Sequence, residues 1–244
     1  ESIKKNKHVF VEKPISHKLD VLNEIFNKAK KKKLIIKCGF NMRYRKVIIE
    51  TKKILDSNKI GKVIFANFFC GSFLPNWRPK QNYLKGYANN QKGGGVLFDS
   101  IHEFDLANIF FGPAEVKKAF IVNTNLLKLK TEDFADVNLI HSNGVISNIH
   151  LDYITNPKKR DIFVVGEKGT LKVDLISNKI LIKNQINQIC FKKKYKFDLN
   201  SEYKNEIKDF IFDIQNKKSF LNEQKRYIEV IKQIIESKKS ENLI

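Results

Sequence analysis

The stretch from Glu115 to Ile186 constrains this chain most, because it reads as six short apolar runs in succession. Strands are predicted over Val116–Asn123, Phe134–His141, Val145–Asp152, Asp161–Gly166, Thr170–Asp174 and Lys179–Ile182. Turn formers separate them: Ser142-Asn143-Gly144, Asn156-Pro157, Glu167-Lys168-Gly169 and Ser177-Asn178. Closely spaced strands with such turns predict an antiparallel meander in one open sheet.

The ends of the chain follow a different rule. Lys7–Val11 is an apolar run stopped by Pro14, and Leu34–Gly39 is a second compact run. Between them Leu19, Leu22, Ile25, Phe26 and Ala29 recur at helical spacing, so a helix is expected over Lys18–Lys32. Ser16 is its expected N-cap. Strand, helix and strand make a βαβ unit, which forms a parallel pair through a right-handed crossover. Further helices are expected over Tyr44–Ser57, Ser100–Phe110, Ser201–Gln215 and Asn222–Ser237, and Val63–Cys70 opens the β-rich region. The fold class is therefore a partial α/β unit followed by an α+β domain with an open, mainly antiparallel sheet.

Composition bounds the function. At 244 residues and 42% hydrophobic, the chain can build one large core or two smaller ones. No run of eighteen apolar residues and no apolar leader occur, so neither a membrane partner nor export is expected, and the reading is cytoplasmic. Cys38, Cys70 and Cys190 are scattered and form no Cys-x-x-Cys pair, which argues against a metal site. A formal charge of +20 raises the question of nucleic acid. Only five of the basic residues are arginines, and the lysines spread over the whole chain. Bidentate readout favours arginine, so a solvated lysine-rich surface is preferred over a specific nucleic-acid partner.

Four places could carry chemistry. Lys13 lies between Glu12 and Pro14, at the carboxyl end of a predicted parallel strand, where ligands bind in doubly wound sheets. A partly buried ammonium there can exchange protons, although a surface lysine is the bland alternative. Asp99 and His102 follow Gly93-Gly94-Gly95 and are three apart, which puts a carboxylate and an imidazole on one face of a helix start. That pair suits general acid–base work, or else Asp99 is an ordinary N-cap and His102 a packed helix residue. Asp105 is read as structural. The triplet is no phosphate loop, because Phe98 stands where a third glycine is needed and no βαβ unit surrounds it. Finally Trp77-Arg78, with Tyr83 and Tyr87 nearby, forms a loop that can stack on a ring and fork onto an anion, or simply anchor itself in the core.

Taken in order, "KHVFVEKP", "CGFNMRYR" and "GGGVLFDSIHEFD" resemble the Gfo/Idh/MocA family of nicotinamide-dependent oxidoreductases. The resemblance covers nearly the whole chain. It implies that residues 1–43 are the remainder of a Rossmann-type nucleotide-binding domain, and 44–244 a substrate and oligomerisation domain. It implies NAD or NADP as cofactor, with Glu12, Lys13, Pro14, Asn41, Trp77 and Arg78 beside it. Substrate contacts would come from Arg43, Tyr83, Tyr87, Asp99 and His102, and catalysis from Lys13, His102 and Asp99. The implied substrate is a sugar or sugar-nucleotide hydroxyl, and the implied assembly a homo-dimer or tetramer through the open sheet face. The family's glycine fingerprint is missing here, so an N-terminally incomplete sequence is expected. The competing readings are an inactive, self-associating remnant and a nonspecific polycation.

Overall fold

A computed structural model describes residues 1–218 and 220–240. In the smaller sheet, β1 (Val9–Glu12) and β2 (Ile36–Gly39) pair in parallel, with Val9 opposite Ile36 and Glu12 opposite Gly39. Their crossover is α1 (Leu19–Lys31), which buries Leu22, Phe26 and Ala29. Ser16 does not cap it. Lys18 holds the N-cap position, and Ser16 sits too early to reach the first helical amides; its Oγ accepts from the Lys18 amide at 3.0 Å. After β2, a single 3-10 turn at Asn41–Tyr44 delays α2 to Lys46–Asp56.

The helix expected over Ser100–Phe110 is split, with α3 (Val96–Asp99) and α4 (His102–Phe111) meeting at Ser100–Ile101. The chain closes with α5 (Leu199–Gln215) and α6 (Leu221–Ser240). α6 packs on α1 and β2, then on α4 and on β4 (Ala114–Val122) of the larger sheet. Polar contacts hold it along its length. Tyr227 accepts from the Cys38 amide at 3.2 Å and stacks on Phe40, while Gln233 and Asn108 exchange hydrogen bonds at 2.9 and 3.0 Å.

The larger sheet has eight strands. β3 is Val63–Gly71; β5 to β10 are Phe134–His141, Ile146–Asp152, Lys159–Gly166, Gly169–Asp174, Lys179–Asn184 and Ile189–Lys194. Their order is β10-β9-β8-β7-β3-β6-β5-β4. The predicted meander is therefore interrupted: β6 and β7 are consecutive but separated by β3, which runs parallel to β6 and antiparallel to β7. β3 is apolar on both faces, through Phe65, Phe68 and Phe69, which suits a central strand. β10 was not expected. Its Phe191-Lys192-Lys193-Lys194 reads as a charge run, yet lysines are what an exposed edge strand carries to discourage further pairing.

One face of this sheet is covered by helices; the other is open. Across the open face, Asn67, Asn148 and Asn138 form a hydrogen-bonded row, and Phe120, Ile140, Ile146 and Phe163 are exposed. In the next row His150 stacks on Phe69 at 4.3 Å between Asp136 at 3.2 Å and Asp152 at 2.9 Å. Burial opposes its charge, but the two carboxylates outweigh burial and push its pKa up to about 9. A raised value means that the folded state holds the proton more tightly, so this stabilisation is full below the ordinary histidine range and fades as pH rises through about 9. His150→Gln is expected to cost about 1–3 kcal/mol at pH 6, allowing for partial solvent screening, and little at pH 10. Urea unfolding of both proteins across that range checks it; a pH-independent difference would refute the ion-pair account.

No described helix is long and apolar enough to cross a membrane. Among the described residues, no group of three or more His, Cys, Asp or Glu is arranged to hold a metal ion.

Candidate active site

Lys13 leaves the end of β1 through a cis peptide to Pro14, and its ammonium reaches Asp99. It donates to the Asp99 backbone carbonyl and, at 3.2 Å, to Asp99 Oδ1. Two tyrosines complete the carboxylate's shell: Tyr87 donates to Oδ1 at 2.9 Å and Tyr153 to Oδ2 at 3.1 Å. Burial, then the adjacent Asp99 charge, raise both phenols' pKa, so both remain donors at neutral pH. Asp99 is thus the hub that joins the small sheet to the large one. Its position at the end of α3 follows from Gly95, whose φ of +87° precedes the helix; a Cβ there would meet the Glu132 carboxylate at 2.2 Å.

His102 starts α4, after the break that follows α3, and among the described residues no hydrogen bond joins it to Asp99. The imidazole meets Phe40 edge-on at 5.6 Å, and its Nδ1 is buried without a partner. Burial, followed by the positive field of Arg160, Lys13, Arg45 and Arg43, holds its pKa well below the ordinary value. The ring is therefore neutral at pH 7 and able to accept a proton or a hydrogen bond.

The Trp77 loop belongs to the same cluster. Trp77 donates to Ser72 Oγ at 2.8 Å and meets Tyr153 edge-on at 5.6 Å, while Arg78 lies over the Tyr87 ring at 6.0 Å. Trp77, Arg78, Tyr83 and Tyr87 line a narrow pocket of about 50 Å³. Glu12 lies exposed at the end of β1, its carboxylate against Gly39.

Two residues expected to contact ligand are engaged within the protein. Arg43 forks onto Asp105 in a bidentate pair, with Nε at 2.8 Å from Oδ2, and reaches Glu223 of α6 at 3.2 Å. Its guanidinium lies over Phe40 and Tyr227, so it ties the 3-10 turn to α4 and α6. Asn41 donates to Glu202 of α5 at 3.0 Å, and Arg45 binds the same carboxylate at 2.7 Å. Both side chains are spent on packing the C-terminal helices. Tyr153 is the residue that sequence reasoning missed. It follows β6 directly, and nothing in the local sequence pattern sets it apart from a packed tyrosine.

Residues 48–172 match the sequence profile described as GFO/IDH/MocA C-terminal domain. The chain belongs to the GFO/IDH/MocA family. Among its relatives, the myo-inositol 2-dehydrogenase of Thermotoga maritima is 28% identical over 180 residues, covering 70% of this chain and 50% of that protein. An uncharacterised oxidoreductase of Bacillus subtilis is 29% identical over 182 residues, 71% of this chain and 50% of its own length. The chain therefore spans about half the length of the curated relatives it matches. In fold it is similar to an Agrobacterium radiobacter oxidoreductase solved with NAD+, L-tartaric acid and magnesium, at a TM-score of 0.82 and 17% identity, covering 99% of this chain and 72% of the other. An inositol dehydrogenase homologue of Azotobacter vinelandii, solved with NADH and myo-inositol, gives 0.82 at 11% identity, covering 99% and 71%. These likenesses place the chain, with its parallel pair and its open-sheet α+β region, in the fold of GFO/IDH/MocA oxidoreductases.

Proposed function

We propose that residues 1–244 form the catalytic part of an NAD- or NADP-dependent oxidoreductase acting on a hydroxyl carbon of a sugar, polyol or sugar nucleotide, in sugar or surface-polysaccharide metabolism. The observation that carries this reading is Lys13, brought from the end of β1 onto Asp99 and placed near a neutral His102 whose Nδ1 has no partner. A neutral imidazole with an unpartnered nitrogen, in the field of the Lys13 ammonium, suits the reactive end of a nicotinamide and its substrate. The nicotinamide, when bound, supplies a carbon that accepts or donates hydride. Glu12, Lys13, Pro14, Trp77 and Arg78 would hold that end, and Tyr83 and Tyr87 would border the substrate.

In the oxidative direction, the substrate hydroxyl must lose its proton as hydride leaves the carbon. A neutral imidazole can take that proton, and the nearby ammonium of Lys13 lowers the cost of a developing alkoxide. Asp99 fixes Lys13 while Tyr87 and Tyr153 hold Asp99, so the ammonium is positioned before substrate arrives. No Gly-x-Gly-x-x-Gly occurs in the 244 residues. Titration of this chain alone with NAD and NADP is accordingly expected to show no binding below 1 mM. The same chain joined behind a glycine-fingerprint half-domain should bind one of them and reduce it with a polyol or sugar. Failure of the joined protein to bind either nucleotide would sink the reading.

The open sheet face supports a second element, a homo-oligomer joined through Phe120, Ile140, Ile146 and Phe163 around the asparagine row. An exposed apolar patch of this kind marks an interaction surface. Sedimentation should give a dimer or tetramer, and Phe163→Lys should shift it towards monomer.

A further inference from the structure

A second cavity lies away from Lys13 and Asp99, at the opposite ends of the β1 and β2 strands. It encloses about 610 Å³ between the end of α1, the chain entering β2, and the α5–α6 junction. Its floor is apolar: Phe26, Ala29, Leu34, Ile214, Phe220 and Leu221. Its rim carries Lys30, Lys33, Lys217 and Lys218, and no carboxylate is among its described lining residues. Lys218 is paired with Asp213 at 3.0 Å, but among the described residues no ion pair or hydrogen bond engages the ammonium groups of the other three. His8 also lines the cavity; its Nδ1 accepts from the Ile35 amide at 3.0 Å, which leaves the ring proton on Nε2 as a donor.

We propose that this cavity is a binding site for an amphipathic organic anion, one with an apolar chain and a single carboxylate or phosphate head. Volume and lining argue for a small molecule, since ligand pockets of about 300–1,000 Å³ are mostly apolar with a few polar groups that fix orientation. The rim argues for the head group. Three ammonium groups without partners among the described residues line it and no described carboxylate does, which favours an anion over a cation. Asp209, Asp213 and Glu223 line the neighbouring hollow, where Lys37 and Lys218 pair with the two aspartates. The aromatic and aliphatic floor excludes a sugar or a bare phosphate, neither of which would bury it. The site shares no residue with the proposed active site, so its occupancy is independent of that reading.

Decanoate and decyl phosphate, titrated into the 244-residue chain by calorimetry, test the site, and the two heads distinguish a carboxylate from a phosphate ligand. At least one is expected to bind with one-to-one stoichiometry at about 10–100 µM. Decyltrimethylammonium and decanol should bind at least tenfold more weakly. The triple replacement Lys30→Gln, Lys33→Gln, Lys217→Gln changes only exposed side chains and is expected to weaken the anion about tenfold. The amides of Ile35 and Leu221 should shift in NMR spectra on addition of the anion. Absence of binding by both anions below 1 mM overturns the proposal. So does equal affinity for decanol, or an affinity that the triple replacement leaves unchanged.

Discussion

Replacing Lys13 with methionine is expected to lower turnover about 10²–10⁴-fold, the range that a positioned proton-transfer group contributes. The measurement is nicotinamide absorbance in protein that carries a nucleotide-binding half-domain, alongside urea unfolding of the same variant. Stability should fall by about 1–3 kcal/mol, because Asp99 is nearly buried and loses its cation, yet less than for a stranded charge, since it keeps its hydrogen bonds from Tyr87 and Tyr153. Tyr153→Phe should act through Asp99 and Lys13: turnover falls less, and the pH profile moves because Asp99 is held by one donor fewer. Normal turnover in the Lys13→Met protein would mean that this ammonium is a structural tie between the two sheets and nothing more.

Replacing Arg43 with alanine is expected to cost about 3–5 kcal/mol of stability, the second large effect, because it strands a buried charge. Asp105 is 1% exposed and receives two hydrogen bonds from Arg43. With the guanidinium gone, no other described side chain donates to Asp105, and Glu223 also loses a partner. For a domain whose whole stability is about 5–15 kcal/mol, such a loss lies close to unfolding. Adding Asp105→Asn to Arg43→Ala should restore part of the loss, since the pair is removed together and no charge is left alone. If Arg43 instead contacted substrate, the single variant would unfold normally and show only a raised KM; that outcome would reverse its assignment as packing.

The βαβ unit, the three α-helices over the expected ranges and most strands of the large sheet were legible, because local period and turn chemistry specify each of them. Lys13, Asp99 and His102 stood out as candidates for the same reason: each stands at the end or start of an element that its own neighbours define, and the first two meet in the structure. Where reading failed, the deciding interaction was distant in sequence. β3 enters the sheet between β6 and β7, which no local pattern announces. β10 is marked by lysines that look like loop until the sheet edge beside it is seen. Arg43 and Asn41 looked available for ligand because α5 and α6, which consume their hydrogen bonds, lie about 160 or more residues further on. Tyr153 became a site residue only when β6 was placed beside the loop that carries Trp77.

By itself, then, the sequence determined which segments are strands and helices, and which side chains could transfer a proton. Both are short-range properties, set by hydrophobic period, turn residues and intrinsic side-chain chemistry. The tertiary structure alone decided that Lys13 and Asp99 meet, that no hydrogen bond joins Asp99 to the histidine three residues beyond it, and that Arg43 is tied to Asp105 and Glu223. Each of those depends on how β1, α3, α4 and α6 pack against one another. Burial then sets the cost of every unpaired charge, and with it the role that each charged side chain is free to play.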